Sequence, residues 1–182
     1  IHQRFQTTMI LSTHDMIQGQ RLADRMGVIM DGKIVQVGSI HDIFYLPNGK
    51  DIARFVGIDT ILKGVVESND DGHAHVSVSD VMLEVITPCH KGTRVSLFIR
   101  PEAVSIALKD GDLPKTSIRN QLQGKITRMV PFGPFVRITI DFGSGLTALV
   151  TRRSADELSL AVGMTVIAGI KATAIHVIPD SG

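Results

Sequence analysis

Apolar residues recur at alternate positions or in short unbroken runs along most of the chain, with turn-forming residues between them. Beyond residue 61 the pattern is of strands and turns: residues 62–66, 73–78, 82–86, 94–100 and 104–108 read as strands, with Asn69-Asp70-Asp71-Gly72 and Ser79-Asp80 between them. Residues 109–115, with Asp110-Gly111-Asp112 and Pro114, read as a linker. Strands resume at 122–129, 135–141 and 146–151, followed by a short helix at 154–160 and strands at 165–170 and 174–178. The earlier residues mix helical and strand periods. Residues 7–13 form a β-branched, apolar run that predicts a buried strand ending at His14-Asp15, and a helix is expected from Met16 to about Arg25. Asp31-Gly32 between 28–30 and 33–37 predicts a two-residue hairpin, because both central positions of that turn need positive φ. Ser39 with Asp42 predicts a capped short helix ended by Pro47-Asn48-Gly49, and a second helix covers 51–56.

The all-β part repeats itself. Leu62-Lys63-Gly64-Val65-Val66 aligns with Leu122-Gln123-Gly124-Lys125-Ile126, Gly92-Thr93-Arg94-Val95 with Gly163-Met164-Thr165-Val166, and Ala103-Val104-Ser105-Ile106 with Ala174-Ile175-His176-Val177. The offset grows from 60 to 71, and the extra residues fall around the helix at 154–160. A duplicated five-stranded unit, each copy too small to hide its edges alone, implies two small barrels side by side. The expected organisation is therefore 1–58, an α+β part, then all-β repeats at 59–113 and 114–182, with Gly57-Ile58-Asp59 as the first boundary.

Composition narrows the field. With 43% apolar and 20% charged residues the chain is an ordinary globular one, and a net charge of +1 gives no general case for duplex binding. Residues 116–182 are mildly basic, with seven Lys/Arg against four Asp/Glu, whereas the remainder carries twelve against fourteen. The single cysteine, Cys89, excludes an internal disulfide and reads as structural. Apolar runs are interrupted too often for a membrane-spanning helix, and the opening residues lack a signal-peptide core. The chain begins at Ile1, in mid-pattern, and is expected to be the C-terminal part of a longer protein.

Leu11-Ser12-Thr13-His14-Asp15, Leu22-Ala23-Asp24-Arg25 and Met30-Asp31-Gly32-Lys33-Ile34-Val35-Gln36-Val37-Gly38 together resemble the end of the ATP-binding domain of ABC transporter ATPases. The resemblance implies that His14 is the switch histidine, which reaches the γ-phosphate in the complete enzyme; an imidazole between a strand end and a helix start suits that contact. No Gly-x-x-x-x-Gly-Lys-[Ser/Thr] occurs in the chain, and the signature stretch and the acidic strand end that holds magnesium are missing too. ATP and magnesium are therefore expected in the full-length parent only, and this chain by itself is not expected to be an enzyme. Gln18 and Gly19 stand where the family commonly has Glu and Ala.

Phe98-Ile99-Arg100-Pro101-Glu102-Ala103-Val104 is similar to the signature of the TOBE domain that follows the ATPase core in many importers. Thr116-Ser117-Ile118-Arg119-Asn120-Gln121-Leu122-Gln123-Gly124-Lys125 resembles the opening of molbindin (Mop) domains, which bind molybdate or tungstate at barrel interfaces. The resemblance implies an oxyanion site at Ser117, Arg119 and Asn120, faced by Lys171 and Thr173; Ala172 stands where the family often has Ser. A tetrahedral dianion needs several N–H and O–H donors and one or two positive charges, and no acid-base residue. The residues alone leave a second reading open, with Arg119 and Lys171 as solvated strand-end charges and Ser117 and Asn120 as turn formers.

Other candidates are weaker. His73 and His75 share a strand face near Asp70 and Asp71 but lack a third ligand, so no metal site is predicted. Met129-Val130-Pro131-Phe132-Gly133-Pro134-Phe135 reads as an apolar turn packed on the barrel end, and Arg152-Arg153 as solvated. Nucleic-acid binding by an OB-type barrel would need exposed aromatics on a basic groove, and the chain has no Trp and one Tyr.

The family resemblance thus implies an ABC importer subunit, for molybdate or tungstate, whose β part forms a homodimer and senses the cytoplasmic oxyanion. Its partners would be transmembrane permease subunits, and its place the cytoplasmic side of the inner membrane. The alternative is an importer for a sugar, polyamine or iron, with a purely structural TOBE domain.

Overall fold

A computed structural model describes residues 8–108 and 116–180. The expected linker at 109–115 lies outside them, as does Thr7 of the first expected strand.

The first compact unit, Ile1–Ile52, contains helix α1 (Met16–Leu22), strands β1 (Arg25–Met30) and β2 (Lys33–Ser39), helix α2 (Ile40–Tyr45) and the start of α3 (Lys50–Phe55). The β1–β2 hairpin turns on Asp31 and Gly32, at φ 48° and 73°, as the Asp-Gly pair predicts. Ser39 caps α2: its Oγ accepts from the Asp42 N–H at 3.1 Å, and the Ser39 N–H donates to Asp42 Oδ2 at 3.0 Å. Gln36, pointing in from β2, holds this corner together. Its Nε2 donates to the Asp42 and Leu46 carbonyls and its Oε1 accepts from the Asn48 N–H, so a buried amide has partners for both ends.

One expectation fails here. Residues 8–13 form no strand, and Met9, Ile10 and Leu11 are exposed. A β-branched run becomes a strand only beside another strand that takes its main-chain hydrogen bonds, and among the described residues none pairs with it. Helix α1 ends at Leu22, short of Arg25, because Arg25 is taken by the first hairpin strand.

The second unit, Ala53–Gly182, is all-β apart from the end of α3 and helix α4 (Arg152–Glu157). Its start precedes the expected boundary at Gly57 because the end of α3 is bonded to the next residues of the chain: the Gly57 N–H donates to the Arg54 carbonyl and the Ile58 N–H to that of Ala53. The strands are β3 (Thr60–Asp70), β4 (His73–Val78), β5 (Val81–Ile86), β6 (Arg94–Ile99), β7 (Ser105–Leu108), β8 (Asn120–Phe132), β9 (Phe135–Asp141), β10 (Gly145–Thr151), β11 (Thr165–Ile170) and β12 (Ile175–Pro179). Single 3-10 turns at Pro101–Ala103 and Ala172–Ala174 lead into β7 and β12.

The internal duplication is visible strand for strand. β3 and β8 carry a bulge at equivalent places, Val66/Ser68 and Ile126/Arg128, and β6 and β11 share one burial pattern. Gly64 and Gly124 are also equivalent, and each lets the neighbouring strand approach: a Cβ would lie 2.6 Å from the Ser77 carbonyl oxygen at Gly64, and 2.7 Å from that of Asp141 at Gly124.

The two sheets do not follow the two sequence repeats, however. Their strand orders are β12-β6-β3-β4-β5 and β10-β9-β8-β11-β7, so each repeat's last strand joins the other repeat's sheet. The expected side-by-side barrels at 59–113 and 114–182 are in this respect interlocked. The period-2 pattern that locates a strand says which face is buried and nothing about which neighbour it pairs with. One core serves both sheets, drawing on Val66, Leu83, Leu97 and Ile99 as well as Ile126, Ile138, Ile140 and Ile170.

Candidate oxyanion-binding site

Strand β8 starts at Asn120 and runs antiparallel to β11, and their last pair is Asn120 opposite Ile170. Arg119 and Lys171 are therefore the first residues past the same end of this ladder, one on each strand. Ser117 precedes Arg119, and Thr173 lies in the 3-10 turn that Lys171 opens, a turn closed by the Ala174 N–H on the Lys171 carbonyl. Ser117, Arg119, Lys171 and Thr173 are all exposed, while Asn120 is buried. Thr116 Oγ1 accepts from the Ile118 N–H at 2.9 Å, and Gln121 Nε2 donates to the Ile118 carbonyl at 3.3 Å, which bends the approach to β8.

Asn120 serves the fold. Its Oδ1 accepts from the Glu84 N–H at 2.7 Å, and its Nδ2 donates to the Glu84 carbonyl at 2.8 Å and to the Ile170 carbonyl at 3.3 Å. Both side-chain N–H groups are thus taken by protein carbonyls, and this amide has no donor over for a ligand. The residue joins an edge strand of one sheet, β5, to a ladder of the other.

Arg119 is held from the same place. Its Nε donates to Glu84 Oε2 at 2.9 Å and its Nη2 to Glu84 Oε1 at 3.1 Å, a two-pronged guanidinium–carboxylate pair. The hydrogen bond from Arg119 holds the Glu84 carboxyl below its usual range despite some desolvation, and Glu84 raises Arg119 in turn. The pair is largely in water, with 62% and 32% of the two side chains accessible, so solvent screens it. Glu84 sits opposite His75 on β4, whose Nδ1 lies 3.2 Å from Ser68 Oγ. Sequence reasoning passed over Glu84, although the repeat marks it: its counterpart at the equivalent place in β10 is the neutral Thr147.

The corresponding corner of the first repeat has other chemistry. Asp59 and Thr60 stand where the second has Arg119 and Asn120, and Arg100 and Glu102 stand at the positions of Lys171 and Thr173. Thr60 Oγ1 accepts from the Thr147 N–H at 2.9 Å, as Asn120 does from Glu84, so the joint between sheets recurs. Asp59 pairs with Arg137 Nη1 at 2.9 Å, which reverses the charge order seen at Arg119–Glu84. The cationic corner belongs to the second repeat.

The remaining candidates fall elsewhere. His14 is exposed at the entry to α1, beside Asp15, whose Oδ1 accepts from the Gln18 N–H at 3.1 Å. His73 and His75 are exposed, and among the described residues no cluster of His, Cys, Asp and Glu could hold a metal ion. The stretch from Met129 to Phe135 is part of the β8–β9 hairpin and not a packed turn: Phe132 and Phe135 pair across it and stay exposed, and the Arg137 guanidinium lies 5.2 Å from the Phe132 ring centre. A β-bulge at Ile126/Arg128 re-aims β8 just before it.

Two five-stranded sheets, interlocked and carrying an arginine and a lysine at one ladder end, define a β-domain of the OB-like, molbindin-like kind. Its fold is that of the cytoplasmic molybdate-binding protein ModG, solved with molybdate bound: the superposition has a TM-score of 0.58 at 21% identity, over 65% of this chain and 94% of that one. The TOBE-domain family matches residues 116–177. Along 96% of its length the chain is 34% identical to the molybdate/tungstate import ATP-binding protein WtpC of Pyrococcus horikoshii, covering 48% of that protein. It is 26% identical to the spermidine/putrescine import ATP-binding protein PotA of Trichodesmium erythraeum, over 86% of this chain and 42% of that one. Residues 116–177 belong to the TOBE-domain family, and along nearly all of its length the chain is similar to ATP-binding proteins of ABC importers; it spans about half the length of the curated relatives it matches. Among the described residues no helix is long and apolar enough to cross a membrane.

Proposed function

We propose that the chain is the C-terminal regulatory and dimerising part of the ATP-binding subunit of an importer for a tetrahedral oxyanion, molybdate or tungstate. In this reading the corner formed by Ser117, Arg119, Lys171 and Thr173 senses the ion on the cytoplasmic side. The observation that carries it is the convergence of Arg119 and Lys171 at one end of the β8–β11 ladder, in the more basic part of the sequence. Two cations with flanking hydroxyls suit a dianion, which needs donors and positive charge and no proton transfer. The relatives named for molybdate and tungstate support the same class of ligand.

Sensing works as regulation only if the ion binds one arrangement of the paired subunits better than another, because a ligand shifts an equilibrium by its differential affinity. ATP, magnesium and permease contacts belong to the parent protein in this reading, and there His14 takes the switch-histidine role. Titration calorimetry of the chain with tungstate, molybdate and sulfate tests the sensing half, and the absence of heat with all three ions sinks it.

A second reading keeps the importer and drops the ion. It is favoured by the polyamine-importer relative and by the engagement of Arg119 with a carboxylate of its own chain. Here the β-domain is a structural contact between subunits, and a concentration-dependent dimer indifferent to oxyanions is its mark.

A further inference from the structure

The oxyanion reading leaves one group at the site unaccounted for, the carboxylate of Glu84. It comes from the first repeat, on β5, and reaches the one cation of the second repeat that lies next to the ladder end on β8. Its two oxygens engage Nε and Nη2 of Arg119, the fork with which a guanidinium grips two oxygens of an external oxyanion. A ligand gripped by the same edge of the guanidinium must displace the carboxylate.

We propose that Glu84 is an internal competitor that sets the affinity of the site, releasing Arg119 only to an anion that binds it more strongly than a carboxylate does. The proposal rests on the oxyanion reading above and adds to it the residue that tunes it.

Three observations support this role over a purely structural one. Glu84 is fastened to the fold through its main chain, by Asn120 on both its N–H and its C=O, so its side chain is not needed to hold β5 in place. The pair is open to water, where exchange of one anion for another has a low cost. The third is the asymmetry of the repeats: the equivalent joint, Thr60 on Thr147, operates with no carboxylate at Thr147, so the joint itself does not require one.

Displacing a monoanionic carboxylate favours a dianion over a monoanion, because the dianion gains twice the Coulomb attraction to the Arg119 and Lys171 charges at equal distance. The site should therefore pass over monoanions and admit tungstate, molybdate or sulfate.

The test is titration of the whole chain with sodium tungstate, and separately with perchlorate, in wild type, Glu84→Gln and Glu84→Gln/Arg119→Ala. Glu84→Gln is expected to bind tungstate about tenfold or more tightly than wild type, to gain measurable perchlorate binding, and to lose both when Arg119 is also removed. Tungstate binding by Glu84→Gln where wild type gives none supports Glu84 as the competitor at Arg119 and sinks the sensing role of the wild-type chain. Wild-type binding that is unchanged or weakened in Glu84→Gln overturns it and leaves the oxyanion reading standing. Silence of both proteins towards tungstate overturns the two together. Urea unfolding of each variant confirms that the folded protein is being compared.

Discussion

The side-chain amide of Asn120 grips the main chain of Glu84 on both sides, accepting from its N–H at 2.7 Å and donating to its C=O at 2.8 Å. One amide thus supplies the hydrogen bonds that a neighbouring strand would give to that residue of β5. Asn120→Ala leaves three buried or half-buried main-chain groups without this partner, and the usual cost of such losses predicts a destabilisation of about 2–4 kcal/mol. Asn120→Asp keeps the shape, removes both donors and sets a carboxylate against two carbonyls, so it should be at least as harmful. Equilibrium urea unfolding measures both, and a loss below about 0.5 kcal/mol in Asn120→Ala would show that the clamp adds little.

At Gly64 and Gly124 the neighbouring strand leaves no room for a Cβ, and neither has a positive φ, so space alone forbids a side chain. Gly124→Ala puts a methyl 2.6 Å from Ile140 Cγ2 and 2.7 Å from the Asp141 carbonyl oxygen. Overpacking of this kind typically costs about 1–3 kcal/mol, and Gly64→Ala should behave alike. Thermal melts of the two variants should both fall below wild type; an unchanged Tm in either would mean that the β8–β9 or β3–β4 pairing yields without cost.

Acid should weaken the second unit partly through Glu84. Its carboxyl titrates below the ordinary value in the folded protein because Arg119 bonds the charged form. The stabilisation is therefore complete above the unfolded-state value, about 4.3 for a glutamate, and is lost as pH falls through the lower folded one. Stability measured between pH 3 and 7 should drop on the acid side less steeply in Glu84→Gln than in wild type. Identical slopes would show that the pair contributes nothing in solution.

In the first unit the reciprocal bonds between Ser39 and Asp42 fix the start of α2. Ser39→Ala removes the acceptor for the Asp42 N–H, and about 1 kcal/mol of local stability goes with it. Hydrogen exchange of the α2 amides would register the change as faster opening, and unaltered protection would count against the cap.

At the proposed ion site, Arg119→Ala and Lys171→Ala should each weaken tungstate binding tenfold or more, and Ser117→Ala less, because a hydroxyl supplies one neutral bond where the cations supply charge. Calorimetry on the three variants gives the order. A Ser117 effect larger than either cation's would mean that the charges are not what holds the ion.

Much of this fold was legible in the sequence. The Asp31-Gly32 turn, the Ser39 cap and every strand of the repeats were marked by turn chemistry or by alternation, signals contained in a few adjacent residues. The exchange of β7 and β12 was not legible, since partner choice depends on where distant strands lie. The strand expected over residues 7–13 failed for a related reason: apolar character records what a segment tends to bury, and the partner it needs is absent among the described residues. At the candidate site the resemblance to molbindin domains singled out Arg119 and Lys171, and the structure sets each of them just past the same end of the β8–β11 ladder. Sequence reasoning overlooked Glu84, thirty-five positions away along the chain, because ion pairing across sheets leaves no local trace and only comparison with Thr147 of the other repeat marks the residue.

The crossing of β7 and β12 also fixes the order in which the domain can be completed. The first sheet has β3 to β6 early, but its outer strand is Ile175–Pro179, followed by Asp180, whose N–H donates to the Arg94 carbonyl. During synthesis that sheet must wait with an open edge until almost the whole second repeat has been made, a long-range closure of the slow kind. The second sheet, whose strands all lie between Ser105 and Ile170, can close first, and a chain cut before Ile175 would damage the repeat that lies furthest from the cut.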